Sequence, residues 1–385
     1  MEDMRRLLLS ASALAALAGA APATAALPPV RHVFVIVLEN HEFGDTFGVQ
    51  GQLLAPYLNR TLVPSGQLLT QYYGVGHSSA DNYIAMISGQ PPTPSSQNDC
   101  PDDPSAGPDN PKRVPPQADP PYNIADGDGC LYPPNFTTIG DQLTNAGLTW
   151  KSYNQDMPSP CYLKASYRAP GALGDYRRKH SPFVLFESIR QTDQCTQNVV
   201  GLPSPDDLRT TLSSDATAPN FSYIVPNQCD DGHDACSSPV PGVLGVDPLT
   251  ADEIALTQID GFLQRYVPPI VQSPVFKKDG LLVITFDEAV ENLSCCNEQP
   301  GPATSDPGNQ AGIPGSGGGD SGAVVISPFT APGGGDPAHQ LNATGYNHYS
   351  LLRTVEDLFG LGHLGYAAPP GLAPFGSDVF DRVPG

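Results

Sequence analysis

Four short runs of mostly apolar residues limit most strongly what this chain can fold into. The run VRHVFVIVL at residues 30–38 is almost continuously apolar, as in a strand buried on both faces of a parallel sheet. Similar runs occupy residues 221–226, 281–286 and 323–328. Segments with helical spacing lie between them, after Pro134, from Ala251 and from His348. Strands that alternate with helices predict an α/β protein, a three-layer α/β/α sandwich around a mostly parallel sheet.

The first 25 residues have the pattern of a signal peptide. Arg5 and Arg6 precede an apolar stretch at residues 7–21, and Ala23-Thr24-Ala25 fits a small-x-small cleavage site. The alternative is a first buried helix. No later segment is apolar enough to span a membrane. The sequence therefore predicts a secreted or periplasmic protein, cleaved near Ala25, with one domain over residues 26–385.

The charge balance restricts the partners. The chain carries 40 Asp and Glu against 19 Lys and Arg, a formal net charge of −21. Such a surface repels nucleic acid and anionic lipid. A site for an anionic substrate would need a local positive centre, and a bound metal ion is the simplest one.

Eight cysteines, an even number, all follow the predicted cleavage site. This suggests up to four disulfides in an oxidising compartment, although the spacing leaves their connectivity open. A zinc site is the weaker alternative, because no CxxC pair occurs. Adjacent Cys295 and Cys296 are expected to bond to separate partners.

Two segments rich in proline and glycine interrupt the α/β pattern. Residues 91–134 are predicted to form a long insertion that Cys100 and Cys130 pin. Residues 298–320 form a second loop of this kind.

Acidic residues follow two of the predicted strands. Glu39-Asn40-His41 comes directly after the first run, and Asp287-Glu288 directly after the third. Ligands bind at the carboxyl ends of strands in open parallel sheets. Oxygen ligands from two strand ends suit a hard or borderline cation. The alternative for each is a helix cap or a solvated turn.

A serine precedes a predicted helix in the run HSSADNYIAMISG, which begins at His77. At a helix N-terminus, backbone N–H groups and the helix dipole stabilise an alkoxide and a phosphoryl group. A metal ion in contact with the serine oxygen would lower its pKa further. The alternative is that Ser78 or Ser79 only caps the helix.

Three histidines are further candidates. His233 lies among carboxylates after the second run, where it could bind a metal or act as a general acid, and Cys229 and Cys236 could staple its loop. His348 begins the last long helix, and His180 with its neighbour Lys179 could bind phosphate. The alternative for His180 and His348 is a surface histidine.

Seven motifs in order resemble the bacterial and fungal phosphoesterase family, which includes secreted acid phosphatases and phosphatidylcholine-type phospholipases C. They are VFVIVLENHEFGDTFG, HSSADNYIAMISG, WKSYNQDMPSPC, KHSPFVLF, YIVPNQCDDGHD, VITFDE and YNHYSLLRTVEDLFGL. The second is similar to the family pattern H-P-S-x-P-N-Y-x-x-x-x-S-G. The resemblance spans residues 31 to 362 and implies a fold like that of the alkaline phosphatase superfamily.

The resemblance also implies roles for individual residues. Ser79, three positions before Asn82, aligns with the nucleophile, and a divalent metal ion would be held by Glu39, Asn40, Ser79, Asp287 and Glu288. Asn82 would hold phosphoryl oxygens, and Asp231, His233 and His348 would surround the phosphate or a second metal. Zinc, calcium, magnesium and manganese all remain candidates, and Glu288, at a position that is often His in the wider superfamily, favours a metal harder than zinc. Ser78 and Asp81 depart from the family, where proline is usual.

The function so implied is a secreted, metal-dependent phosphoric monoester hydrolase. Ser79 would attack phosphorus, water would hydrolyse the phosphoserine, and His233 or His348 would protonate the leaving alcohol. The compact spacing of Glu39 and Ser79 is closer to the acid phosphatases than to the phospholipases C. A phospholipase C or phosphodiesterase remains an alternative, as does a secreted binding protein without activity. The partner expected is a small phosphate ester, and the oligomeric state is left open.

Overall fold

An eight-stranded sheet forms the centre of the molecule in the computed structural model, which describes residues 27–236, 249–291, 293–296, 301–304, 317–333 and 341–382. In chain order the strands are β1 His32–Leu38, β2 Gln67–Leu69, β3 Trp150–Asn154, β4 Val199–Gly201, β5 Phe221–Val225, β6 Gly280–Phe286, β7 Ala323–Ile326 and β8 Leu341–Asn342. Their order across the sheet is β8-β2-β7-β6-β1-β5-β3-β4. β7 runs antiparallel to its neighbours β6 and β2, whereas the other neighbouring strands described in this sheet pair in parallel.

Helices cover both faces of this sheet. In chain order they are α1 Phe43–Phe47, α2 Val49–Leu54, α3 Ser79–Ser88, α4 Ile139–Asn145, α5 Glu187–Arg190, α6 Asp193–Asn198, α7 Pro205–Thr211, α8 Ala251–Val271, α9 Pro274–Asp279 and α10 His348–Phe359. Alternate residues of β1 point to opposite faces, because side chains along a strand alternate. Val33 and Val35 pack with residues of α3, α4 and α10, whereas Phe34 and Ile36 pack with residues of α7, α8 and α9. The predicted three-layer α/β/α sandwich is therefore confirmed.

The predicted elements mostly match the observed ones. The four apolar runs become β1, β5, β6 and β7, and the three helical segments become α4, α8 and α10. Capping boxes at Thr138, Thr250 and Asn347 start these helices, and Gly360, with φ of 66°, ends α10. β3 was missed because WKSYN mixes polar and apolar residues, although four of its five residues are buried.

Disulfides fix two of the loops as predicted. Cys100 bonds to Cys130 within the insertion, and Cys229 bonds to Cys236 around the His233 loop. Cys161 and Cys195 form a third bond.

The expectation for the adjacent cysteines is wrong, because Cys295 and Cys296 bond to each other. The fold pairs the other six cysteines among themselves, so only the two neighbours remain. Cys296 contacts a small apolar cluster around Val75 and Tyr349.

Two predictions fall largely outside the described residues. The signal peptide at 1–25 is one, and most of the loop at 298–320 is the other. Among the residues that are described, no helix combines the length and the apolar character of a membrane span.

Candidate active site

Three acidic side chains meet at the carboxyl edge of three adjacent strands. Glu39 follows β1, Asp231 follows β5, and Asp287 follows β6. Backbone bonds hold these strand ends together, since the Glu39 N–H donates to the Asp231 carbonyl at 2.9 Å and the Asp287 N–H donates to the Leu38 carbonyl at 2.9 Å. The Asn40 N–H also donates to Asp287 Oδ1 at 3.0 Å. All three carboxylates are fully buried.

Ser79, the first residue of α3, reaches this cluster. Its Oγ donates a hydrogen bond of 2.8 Å to Glu39 Oε2. The neighbouring Ser78 points elsewhere, because its Oγ donates to the Gln97 carbonyl at 2.9 Å. The geometry therefore separates the two serines: Ser79 faces the carboxylates, and Ser78 joins the helix cap to the insertion.

Lys179 supplies a positive charge beside the serine. Its Nζ lies 3.3 Å from Ser79 Oγ and donates to Asp99 Oδ2 at 2.8 Å. Burial by itself lowers the pKa of this ammonium, but the charges of Glu39 and Asp99 outweigh it and raise the pKa above its usual value. Lys179 is therefore protonated at neutral pH.

His180 lies between two of the buried carboxylates. Its Nε2 is 3.2 Å from Glu39 Oε1 and its Nδ1 is 3.4 Å from Asp231 Oδ2. The ring stacks on Tyr83 with centroids 5.0 Å apart. Burial, followed by the charge of Lys179, lowers the pKa of His180 well below its usual value. The imidazole is therefore neutral and can offer a lone pair.

The same group of side chains fits a metal ion. Glu39 Oε1, His180 Nε2 and Asp231 Oδ2 are buried and make no hydrogen bond within the described chain, despite their short separations. Glu39, His180 and Asp231 can place one ligand atom each within 4.8 Å of one another. Burial and mutual repulsion raise the pKa of Glu39. A cation would relieve that repulsion, and two carboxylates with an imidazole are common ligands of divalent metals.

Asn82 and Glu288 lie against the loop before α3. Asn82 Oδ1 accepts from the N–H groups of Val75 and Gly76, at 2.7 and 3.2 Å. Its Nδ2 donates to Glu288 Oε2 at 3.2 Å. Asn82 is fully buried, so these contacts suit a residue that shapes the loop rather than one that meets the substrate.

The two histidines considered as general acids lie in different places. His233 is exposed at the mouth of the cleft, and its Nδ1 is 2.9 Å from Asp234 Oδ1. His348 is buried, with Nδ1 3.1 Å from the Tyr72 hydroxyl and Nε2 2.6 Å from the Asp287 carbonyl oxygen. Burial lowers the pKa of His348 to about 4. Both ring nitrogens of His348 already have hydrogen-bond partners within the protein. This arrangement fits a residue that holds Asp287 in place rather than one that gives a proton to a substrate.

A cleft of about 260 Å³ opens over these groups. It is lined by Asn40, His77, Ser78, Ser79, Asp99, Lys179, His233, Glu288, Ala289 and Val290. The fold thus brings Ser79, Lys179, His180 and the strand-end carboxylates to one place. All of them are residues that the sequence singles out.

Two acidic residues of the site were not identified from the sequence. Asp99 comes from the insertion, where no periodicity marks it, and its Oδ1 also accepts from the Ala80 N–H at 3.2 Å. Asp81 is buried in the first turn of α3, and neither carboxylate oxygen has a hydrogen-bond partner among the described residues. Burial, followed by the charge of Asp99, raises its pKa well above the usual value. Its departure from the family pattern that the sequence resembles was the available signal.

The chain is similar to known proteins over most of its length. The Phosphoesterase family model matches residues 54–362. The chain is 26% identical over 310 residues to a phosphate-repressible acid phosphatase of Penicillium chrysogenum, covering 79% of this chain and 54% of that protein, so it spans about half of that relative's length. It is 25% identical to a phosphatidylinositol-3-phosphatase of Mycobacterium tuberculosis, covering 94% of this chain and 90% of that protein.

A solved structure supports the fold. A protein of the alkaline phosphatase superfamily from Vibrio parahaemolyticus aligns with a TM-score of 0.51 and 13% identity, over 93% of this chain and 73% of that one. The expected alkaline-phosphatase-like architecture is therefore confirmed. The family match and the names of the relatives also support the predicted enzyme class, a phosphoric ester hydrolase. The chain belongs to the Phosphoesterase family.

Proposed function

We propose that this chain is a metal-dependent phosphoric monoester hydrolase with Ser79 as its nucleophile. The observation that carries the proposal is the position of Ser79 Oγ, 2.8 Å from a Glu39 oxygen and 3.3 Å from the Lys179 ammonium, at the start of a ten-residue helix. A carboxylate that can accept the proton and a cation both contact this oxygen, which lies at the N-terminal end of the helix. This combination suits attack on phosphorus.

In the first step, Ser79 Oγ forms a bond to phosphorus while its proton passes to Glu39 Oε2. Lys179 stabilises the phosphoryl oxygens, and the positive end of the α3 dipole favours their charge. The bond from phosphorus to the leaving oxygen breaks, and His233 gives its proton to that oxygen. In the second step a water molecule gives a proton to His233 and its oxygen bonds to the phosphorus of the phosphoserine. The bond from phosphorus to Ser79 Oγ breaks, Glu39 returns its proton to Ser79 Oγ, and inorganic phosphate leaves.

A divalent ion bound by Glu39, His180 and Asp231 would add positive charge for the phosphoryl group. The resemblance suggests a wider set of ligands that includes Asn40, Asp287 and Glu288. Asp287 supports that set, since its Oδ2 is buried and makes no hydrogen bond within the described residues.

The names of the relatives favour a monoester over a diester. An acid phosphatase and a phosphatidylinositol-3-phosphatase are both named for the removal of a terminal phosphate. We also propose that the protein is exported, which agrees with its disulfides, because such bonds persist in oxidising compartments.

Hydrolysis of p-nitrophenyl phosphate by Ser79→Ala tests the proposal. We expect the variant to lose activity by at least about a thousandfold, as when a nucleophile is removed. Ser78→Ala is the matched control and should keep most of the activity, because its hydroxyl bonds to Gln97 instead. Full activity of a folded Ser79→Ala protein would refute the role of Ser79. Faster release from bis-p-nitrophenyl phosphate than from the monoester would indicate a phosphodiesterase.

A further inference from the structure

A second chamber, of about 440 Å³, adjoins the catalytic cleft. Asp99, Lys179 and His233 line both spaces, so the two are joined at these residues. The insertion forms one wall of the second chamber through Pro101 and Asp102. Pockets that hold small ligands measure about 300–1,000 Å³, so the chamber is large enough for part of a substrate.

Charged side chains line the chamber beside apolar surface, and the charges of Lys179 and Arg178 are already paired. Lys179 pairs with Asp99 at 2.8 Å, and Arg178 pairs with Asp102 at 2.7 Å. His233 Nδ1 lies 2.9 Å from Asp234 Oδ1.

Arg177, on the same wall, is also engaged. It lies 3.1 Å from Asp175 and donates to Gln228 Oε1 at 2.7 Å. A second anionic group would have to displace one of these carboxylates. An acyl or aryl group would remove water from the polar side chains without replacing its hydrogen bonds, which is unfavourable.

We propose that this chamber binds the leaving alcohol of the substrate, and that the alcohol is a neutral polyhydroxylated group such as a sugar or a cyclitol. Each hydroxyl both donates and accepts hydrogen bonds, which matches a wall that offers cationic donors and carboxylate acceptors. His233 stands where the two spaces join, which is where a general acid must meet the leaving oxygen. The proposal rests on the phosphatase function and names the class of its substrate.

The test compares kcat/KM for three monoesters: methyl phosphate, n-hexyl phosphate and glucose 6-phosphate. When its phosphate is bound in the cleft, the methyl group of methyl phosphate is too short to extend into the chamber. Its hydrolysis therefore measures the chemical steps alone. We expect glucose 6-phosphate to exceed n-hexyl phosphate by about tenfold or more, since a polar site rejects analogues that leave its groups without partners.

A variant that fills the chamber sharpens the test. Ala165 is exposed on its wall and contributes only its backbone to a hydrogen bond, with Arg178. Ala165→Trp should lower kcat/KM for glucose 6-phosphate by about tenfold, the effect of one or two lost hydrogen bonds, and leave methyl phosphate unchanged. Ala216→Trp is the control, because Ala216 lines a cavity of about 440 Å³ beside the first residues of β3 and β5, at the opposite edge of the sheet.

The outcomes separate this proposal from the function on which it rests. If kcat/KM for n-hexyl phosphate equals that for glucose 6-phosphate, the chamber does not select a polyol. The same conclusion follows if Ala165→Trp lowers kcat/KM for all three esters equally. If methyl phosphate is still hydrolysed by Ser79→Ala, the proposed chemistry fails instead.

Discussion

Asp99 is the residue that connects the insertion with the reacting groups. Its two carboxylate oxygens contact Lys179 and the backbone N–H of Ala80, so one side chain bridges the cation and the helix that carries Ser79. The side chain of Lys179 is long and flexible, so the contact with Asp99 holds its ammonium near Ser79. We therefore propose that Asp99 positions Lys179.

We expect Asp99→Asn to reduce kcat/KM for p-nitrophenyl phosphate by about tenfold, because a neutral amide holds the Lys179 ammonium less tightly. Inhibition by inorganic phosphate should weaken as well, which a general loss of stability would not cause while the melting temperature is unchanged. Asp103→Asn, in the same insertion but with its carboxylate bonded to Ser105, is the matched control. Unchanged kinetics and unchanged phosphate inhibition in Asp99→Asn would contradict the role.

At the scale of elements, α10 combines a predictable start with an unexpected interior. Asn347 caps the helix and His348 contacts Asp287 from its first turn, whereas Glu356 is fully buried. Glu356 Oε1 accepts from the Leu364 N–H at 2.9 Å. Burial raises the pKa of Glu356 from 4.5 to about 9.

This shift predicts how stability depends on pH. The folded protein keeps a proton on Glu356 that the unfolded chain releases above about pH 4.5, so the contribution of Glu356 to stability is lost as pH rises toward 9. Glu356→Gln cannot ionise. The melting temperature of this variant, relative to that of the wild type, should therefore rise by about 2 °C or more between about pH 5 and about pH 8. A difference that is constant across this range would show that Glu356 ionises normally.

The elements also show how far the sequence can be interpreted. Apolar runs and caps predict β1, β5, β6 and α10, because local pattern and burial agree there. Strand ends then predict the place of Glu39 and Asp287, since parallel strands bring their carboxyl ends to one edge. The position of Asp99 and the bond between Cys295 and Cys296 depend on how segments without periodicity pack. No local pattern encodes that packing.

At the scale of the whole molecule, the negative charge of the chain and the carboxylates of the site both disfavour the binding of an anion. The chain has a net charge of −21, and several of its carboxylates are buried around Ser79. Within the described residues, Lys179 is the cation that contacts Ser79. A phosphate ester is attracted to such a site only if its local charge is made more positive.

Metal removal therefore has a predicted effect on both stability and activity. Treatment with a chelator should abolish hydrolysis and lower the melting temperature, because an ion that binds only the folded state stabilises it by about 2.7 kcal/mol at a hundred times its Kd. Asp231→Asn should reduce the stabilisation by added metal, whereas Asp206→Asn, at an exposed carboxylate on α7, should not. Activity and melting temperature that both resist chelation, in protein shown to be free of metal, would refute the metal dependence.

The bond between Cys100 and Cys130 ties the proposed site to the redox state of the protein. Asp99 directly precedes Cys100, so the residue that contacts the Lys179 ammonium lies beside a covalent link that forms only on oxidation. A chain kept under reducing conditions lacks this link. We therefore expect reduction of the bond to loosen the contact between Asp99 and Lys179 and to lower activity.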